Sequence, residues 1–199
     1  MVALDKRSTQ RLARLSQHVA AVAINTAAGV RPESDDDEVI ADEQALRALC
    51  RAILAAIGSS ADEQHIVADH LVEAMLKGHD SHGVQMLSGY IISNEAGLLH
   101  PNSSAKVVGR AGPLLTVDSG GFKSGGFGMV AAREATLLAV ETAKQEGVAI
   151  LMLRNCHHIG RVGTYAELAA SHGIITTLYT NVGATTRCAA NATDLAAIH

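Results

Sequence analysis

Apolar residues recur at helical spacing three times between Asp42 and Gly97. Leu46, Leu49, Cys50, Ile53, Leu54 and Ile57 form one stripe, closed by Gly58. Ile66, Val67, His70, Leu71, Ala74 and Met75 form a second, within a helix predicted over 61–77. A third runs over 84–96, with Val84, Leu87, Tyr90 and Ile91 on one side and Gly97 at its end. Recurrence at i, i+3 and i+4 predicts amphipathic helices with one buried face. A glycine just past each end suits the left-handed cap. Beyond Pro101 and Asn102, which mark a loop, the period changes. Residues 106–109 and 114–118 are predicted strands around the Gly112-Pro113 turn, followed by a long helix over 129–146. The short, wholly apolar run Val148-Ala149-Ile150-Leu151-Met152-Leu153, entered through Gly147, predicts a core strand. Tyr165, Leu168 and Ala169 predict a helix ending near Gly173, and 174–179 a last strand. Helix, strand, helix, strand in that order indicates an α/β sheet region after the helical one.

The first forty residues read differently. Lys6, Arg7, Arg11 and Arg14 stand against the single acid Asp5, with Leu12, Leu15, Val19 and Val22 at helical spacing. That composition matches an organelle transit peptide, an ordinary extra helix or an upstream start. Arg31 to Glu38, with Pro32 and the run Asp35-Asp36-Asp37-Glu38, reads as a solvated linker. Over the whole chain, 48% hydrophobic residues with only 3% aromatic and no Trp imply a core of Ala, Val, Leu and Ile. A net charge of −4 argues against nucleic acid as a partner. No apolar run has the length of a membrane span. Three separated cysteines, Cys50, Cys156 and Cys188, outline no disulfide framework, and the expected location is cytoplasmic. Cys50 lies on an apolar helix face and is expected to pack there.

Three segments carry chemistry. Lys77-Gly78-His79-Asp80-Ser81-His82-Gly83-Val84 gathers two imidazoles, a carboxylate and a hydroxyl between two helices, with Asp80 or Ser81 expected to cap the second. Ser119 to Gly128 holds five glycines in ten residues ahead of a long helix. It matches neither the Walker pattern nor the dinucleotide fingerprint, so close helix packing is favoured over a phosphate cradle. Arg154-Asn155-Cys156-His157-His158-Ile159-Gly160-Arg161-Val162-Gly163-Thr164-Tyr165 sets adjacent imidazoles just past a predicted core strand, where α/β folds build ligand crevices. Imidazole titrates near neutrality and suits proton transfer. His79, His82, His157 and His158 with Asp80 also supply zinc-type ligands, which leaves a metal-dependent hydrolase as an alternative, although the spacing matches no standard zinc signature.

Together these segments resemble the second malate/L-lactate dehydrogenase family, the NAD(P)-dependent 2-hydroxyacid oxidoreductases unrelated to the Rossmann-type lactate dehydrogenases, nearest the hydroxycarboxylate dehydrogenase branch. The matching residues are Val67-Ala68-Asp69-His70-Leu71, Gly78 to Val84, Gly97-Leu98-Leu99-His100-Pro101-Asn102, Gly126-Phe127-Gly128, Gly147-Val148-Ala149 and His157 to Gly163. The likeness runs from about Asp42 to about Asn181. It implies an α/β fold: an N-terminal helical subdomain followed by the first part of a non-Rossmann NAD(P)-binding α/β domain, incomplete. The division expected is 1–41 as extension and acidic linker, 42–105 as helical subdomain and 106–199 as partial cofactor-binding domain.

The resemblance implies hydride transfer between NAD or NADP and C2 of a small 2-oxo or 2-hydroxy acid. His158 stands at the family position of the acid/base. Ser81 and His82 would hold the cofactor or the substrate carboxylate, and Ile159 and Gly160 would line the cofactor face. Arg161 would attract a carboxylate or lie on a helix surface, His157 would orient its neighbour, and no metal ligand is assigned. A homodimer is implied, with neither nucleic acid nor membrane as partner. Residues 182–199 do not continue the family pattern, lacking its Pro-Phe-Gly-Gly and Gly-Thr-Asn-Pro-like elements. That departure predicts a fragment with weak cofactor binding, and keeps open a noncatalytic remnant serving as an interaction module.

Overall fold

A computed structural model describes residues 2–4, 30–32 and 39–181. The helical spacing of Leu12 to Val22, the acidic run Asp35–Glu38 and residues 182–199 lie outside the described residues. The chain divides into two units, Met1–Ile91 and Ile92–His199.

The first unit opens with three short antiparallel strands, β1 (Val2–Leu4), β2 (Val30–Pro32) and β3 (Val39–Ala41), in the order β1-β3-β2. Arg31 and Pro32, expected in a solvated linker, pair instead with Ile40 and Val39. Pro32 is tolerated because β2 is an edge strand. Helix α1 (Glu43–Ala56) starts at Asp42, whose side chain accepts from the Ala45 amide at 2.9 Å. Helix α2 (Ala61–Leu76) starts at Ser60, whose hydroxyl accepts from the Glu63 amide. Both are the caps that N-termini need for their unpaired amides.

The two predicted stripes meet. Leu46, Cys50, Ile53 and Leu54 of α1 and Val67, Leu71 and Val72 of α2 are buried, and the helices pack together. Burial pushes the Cys50 thiol up to about 12, as expected of a packed cysteine. Arg47 joins the helices by donating to Glu43 on its own helix at 2.8 Å, to Asp69 at 2.7 Å and to Glu73 at 3.0 Å. Gly58 and Gly78 end α1 and α2 at φ 92° and 75°. The third predicted helix is shorter than its pattern. Residues 80–82 and 84–86 form two tight 3-10 turns, and the α-helix α3 spans only Leu87–Glu95. Neither Asp80 nor Ser81 caps it, which corrects that expectation: no side chain caps either 3-10 turn, and Gly83 precedes the second.

In the second unit β4 (Lys106–Ala111) and β5 (Leu114–Asp118) form a hairpin through Gly112, at φ 55°, with an irregular register between Val107 and Gly109. A four-residue helix α4 (Gly121–Ser124) and the long α5 (Gly128–Glu146) follow. α5 returns the chain to β6 (Ile150–Arg154), parallel to β5, in the order β4-β5-β6. Helix α6 (Gly163–Ser171) packs on α5. Leu115 and Val117 of β5 are buried, as are Met129, Ala132, Ala135 and Val140 of α5 and Tyr165 and Ala169 of α6.

Two strand expectations need correction. The 148–153 run is not a fully buried core strand: Ile150 is 61% and Met152 62% exposed. Its residues are apolar on both faces, yet the described residues cover only one. Residues 174–179 form no strand, and Ile175 and Tyr179 are 100% and 94% exposed. β-favourable side chains make a strand only where an edge pairs with them.

Candidate active site

The 79–83 segment sits in the first unit as an exposed tight turn. Local bonds shape it: the His79 amide donates to the Ala74 carbonyl, the Gly83 amide to Asp80 and the Gln85 side chain to the Asp80 carbonyl, all at 2.8–2.9 Å. Ser81 Oγ lies 2.9 Å from His82 Nδ1. That bond sets which way the ring turns. Gly83 makes the turn fit: a Cβ there would stand 2.3 Å from Met75 Cγ.

The 154–160 segment, in the second unit, is held from far along the chain. β6 ends at Arg154, and Asn155 turns the backbone through the left-handed region at φ 51°, which asparagine tolerates better than most residues. The Asp118 carboxylate, at the end of the neighbouring parallel strand, receives Arg154 Nε at 2.9 Å and Asn155 Nδ2 at 2.8 Å, while its other oxygen receives the Gly120 amide at 2.9 Å. The Gly120 amide first, then Asn155 and Arg154, hold its carboxyl below the usual range. The Asn155 carbonyl in turn accepts from the Gly121 amide at 2.8 Å.

His157 turns inward. Its Nε2 is 2.6 Å from the Leu98 carbonyl oxygen, and its ring meets the Phe122 ring edge to face at 4.9 Å. Burial holds its pKa below the ordinary imidazole value, against the Leu98 carbonyl and with help from neighbouring His100. His100 Nε2 is buried and has no hydrogen-bond partner among the described residues. Cys156 Sγ points to the Gly128 carbonyl at 3.8 Å, and burial raises its thiol to about 11, so it is packed and unreactive.

His158 and Ile159 are half-buried and Gly160 buried, with Gly160 at φ 70°. The Tyr165 hydroxyl donates to the Ile159 carbonyl. Arg161, just ahead of α6, donates to Glu167 of that helix at 2.5 Å and lies over Gly163.

The glycine-rich loop is the seat on which this segment rests. A Cβ on Gly128 would stand 2.1 Å from the His157 carbonyl oxygen and 2.6 Å from that of His158. On Gly125 it would meet the Ser119 and Gly121 carbonyl oxygens, each at 2.5 Å, and on Gly126 the Ser103 carbonyl oxygen at 2.6 Å. The side-chain space of these glycines is taken by backbone oxygens. Close packing, the reading favoured from sequence, fits this loop.

Sequence reasoning missed Asp118, Phe122, His100 and the Leu98 carbonyl. Only Asp118 carried a signal, as an acid ending a strand just before a Ser-Gly-Gly turn. Among the described residues no three His, Cys, Asp or Glu side chains stand where they could hold a metal ion.

The fold defines an α/β protein with ionisable side chains gathered past the carboxyl end of a parallel strand, where such folds bind ligands. The chain belongs to the malate/L-lactate dehydrogenase family, whose model matches residues 41–194. It is 42% identical over 141 residues to hydroxycarboxylate dehydrogenase B of Escherichia coli K12, covering 71% of this chain and 38% of that protein. To the L-lactate dehydrogenase of Cupriavidus necator it is 38% identical over 136 residues, 68% of this chain and 38% of that one. The solved malate dehydrogenase of Pyrococcus horikoshii superposes with a TM-score of 0.61 at 31% identity, over 66% of this chain and 36% of that chain. The chain thus spans under two-fifths of the length of these relatives. The hydrolase alternative finds no support in these names or in the geometry.

Proposed function

We propose that this chain carries part of the active site of an oxidoreductase that transfers a hydride between NAD or NADP and C2 of a small 2-oxo or 2-hydroxy acid. The relatives are named for hydroxycarboxylates, malate and lactate, which share a carboxylate beside a carbon that alternates between carbonyl and alcohol. The observation that supports the reading is the bracing of the histidine loop. His157 is committed to Leu98 and Phe122, and His158, next along the same braced loop, is the imidazole assigned to the reaction.

When bound, the nicotinamide supplies or accepts the hydride at C2. In kind, the residues past β6 suit it: Gly160 presents buried backbone without a Cβ, and Ile159 an apolar side chain. His158 gives a proton to the substrate oxygen during reduction and takes it back during oxidation. His82, steadied by Ser81, holds the cofactor or the substrate carboxylate. Cytoplasmic location, a homodimer and a small-acid substrate belong to the same reading. The net charge of −4 supports the lack of a nucleic-acid partner. No helix among the described residues is long and apolar enough to cross a membrane.

His158→Gln tests the assignment. Loss of a general acid lowers turnover by about a hundred- to ten-thousand-fold. Measured as NADH or NADPH consumption over a panel of small 2-oxo acids, turnover near wild type would sink the role given to His158. A second reading exchanges the two imidazoles, and the Ser81–His82 hydrogen bond favours it because an oriented ring is what a proton donor requires. His82→Gln run beside His158→Gln decides: the variant that abolishes the alkaline limb of the pH–rate profile for 2-oxo acid reduction has lost the proton donor.

A further inference from the structure

We propose that Asp118 is a positioning residue for His158: its carboxylate fastens the glycine-rich loop to the start of the histidine loop, so that the reacting imidazole is delivered by one braced turn. The proposal rests on the reading of His158 as the acid/base. Asp118 ends β5 and is paired in register with Arg154, which ends β6. The chain leaves both strands on the same side, and a single anion receives one donor from the first loop, Gly120, and two from the second, Arg154 and Asn155.

Charge-assisted bonds of this kind are short and directional, and three of them fix more than one torsion at once. What they fix is the left-handed turn at Asn155, which costs free energy and needs surrounding structure to sustain it. The return bond from the Gly121 amide to the Asn155 carbonyl closes the ring. Phe122, one residue on, braces the His157 ring, and Gly128 lies against the carbonyls of His157 and His158. His158 is therefore three residues from the latch, and the loop between is held at each step. Asp118 touches neither imidazole, so its effect must pass through the backbone turn.

The test is ring and amide NMR on the 199-residue chain, with Asp118→Ala and Asp118→Asn. Asn keeps the size and one acceptor oxygen, and it secures a folded sample if Ala does not. The expected result is a shift of the His157 and His158 ring signals in the folded protein, with lost exchange protection at the Gly120 and Gly121 amides. A carboxylate that merely stabilised the fold would lower the melting temperature and leave those ring signals in place; that outcome overturns the proposal.

Turnover supplies the second arm, with kcat falling about a hundredfold from misplacement and KM nearly unchanged. His158→Gln keeps the two ideas apart. If it leaves turnover intact, the acid/base assignment fails whatever Asp118 does. If it abolishes turnover while the Asp118 variants move neither rings nor kcat, only the positioning role fails.

Discussion

The two histidine segments are alike in composition and unlike in construction. Residues 79–83 form a tight turn shaped by backbone bonds to Ala74 and Asp80, each within five residues along the chain. Residues 154–160 are held by partners 28 to 59 residues away, among them Asp118, Gly128 and Leu98. The first can keep its shape wherever its own helices form. The second exists only once a βαβ crossover has brought two loops together. One imidazole of the second segment is spent on that construction, and its neighbour carries the proposed chemistry.

Two glycines break the comparison most directly. Gly128→Ala drives a Cβ into the His157 and His158 carbonyls, backbone atoms that cannot turn aside. The expected cost is about 1–3 kcal/mol, the range for overpacking a tight site, with displaced His157 and His158 signals. Gly83→Ala meets chiefly the Met75 side chain, which can change rotamer, with the Asp80 carbonyl oxygen at 3.1 Å, and Gly83 sits at φ −91° where any residue is at ease. Its cost should fall under about 1 kcal/mol. Denaturant unfolding of both variants measures the difference, and equal losses would show that the distant scaffold matters no more than the local turn.

A pH series sharpens it further. The His157 pKa is depressed in the folded chain, first by burial. Its neutral ring therefore contributes stability that is complete above the ordinary imidazole value near 6.5, and that is lost as pH falls through the lower folded value. Unfolding curves between about pH 7 and about pH 5 should show stability falling with acid, with the slope flattened in His157→Gln. A slope that survives the substitution would assign the loss elsewhere.

The smallest effect is expected from Ser81→Ala. The Ser81–His82 bond is exposed, so its removal should cost under about 1 kcal/mol. It should alter the His82 ring-nitrogen signals nonetheless, since Nδ1 loses the hydroxyl it is bonded to. Unchanged signals would mean that Ser81 does not orient the ring.

The helices of the first unit were legible because their requirements are met nearby. Asp42 and Ser60 cap amides within the next turn, and the stripes of α1 and α2 bury one another. Even there, Val84–Met86 became a 3-10 turn, since neither Asp80 nor Ser81 supplied the expected cap. The βαβ order of the second unit was legible from the change of period, and so was the place of the histidines past a strand. Burial was not. The 148–153 run is apolar on both faces whether or not a second layer covers it, and 174–179 is β-favourable whether or not an edge pairs with it.

By itself, then, the sequence determined where α1, α2 and the long α5 run, the left-handed glycines at 58, 78 and 97, and the identity of the imidazoles, all of which depend on neighbours a turn or less away. Only the tertiary structure decided that His157 turns inward, that the glycine-rich loop is a seat lined with carbonyls, and that Asp118 joins two strand ends. Each of those depends on residues brought together by a crossover, whose partners no local pattern names.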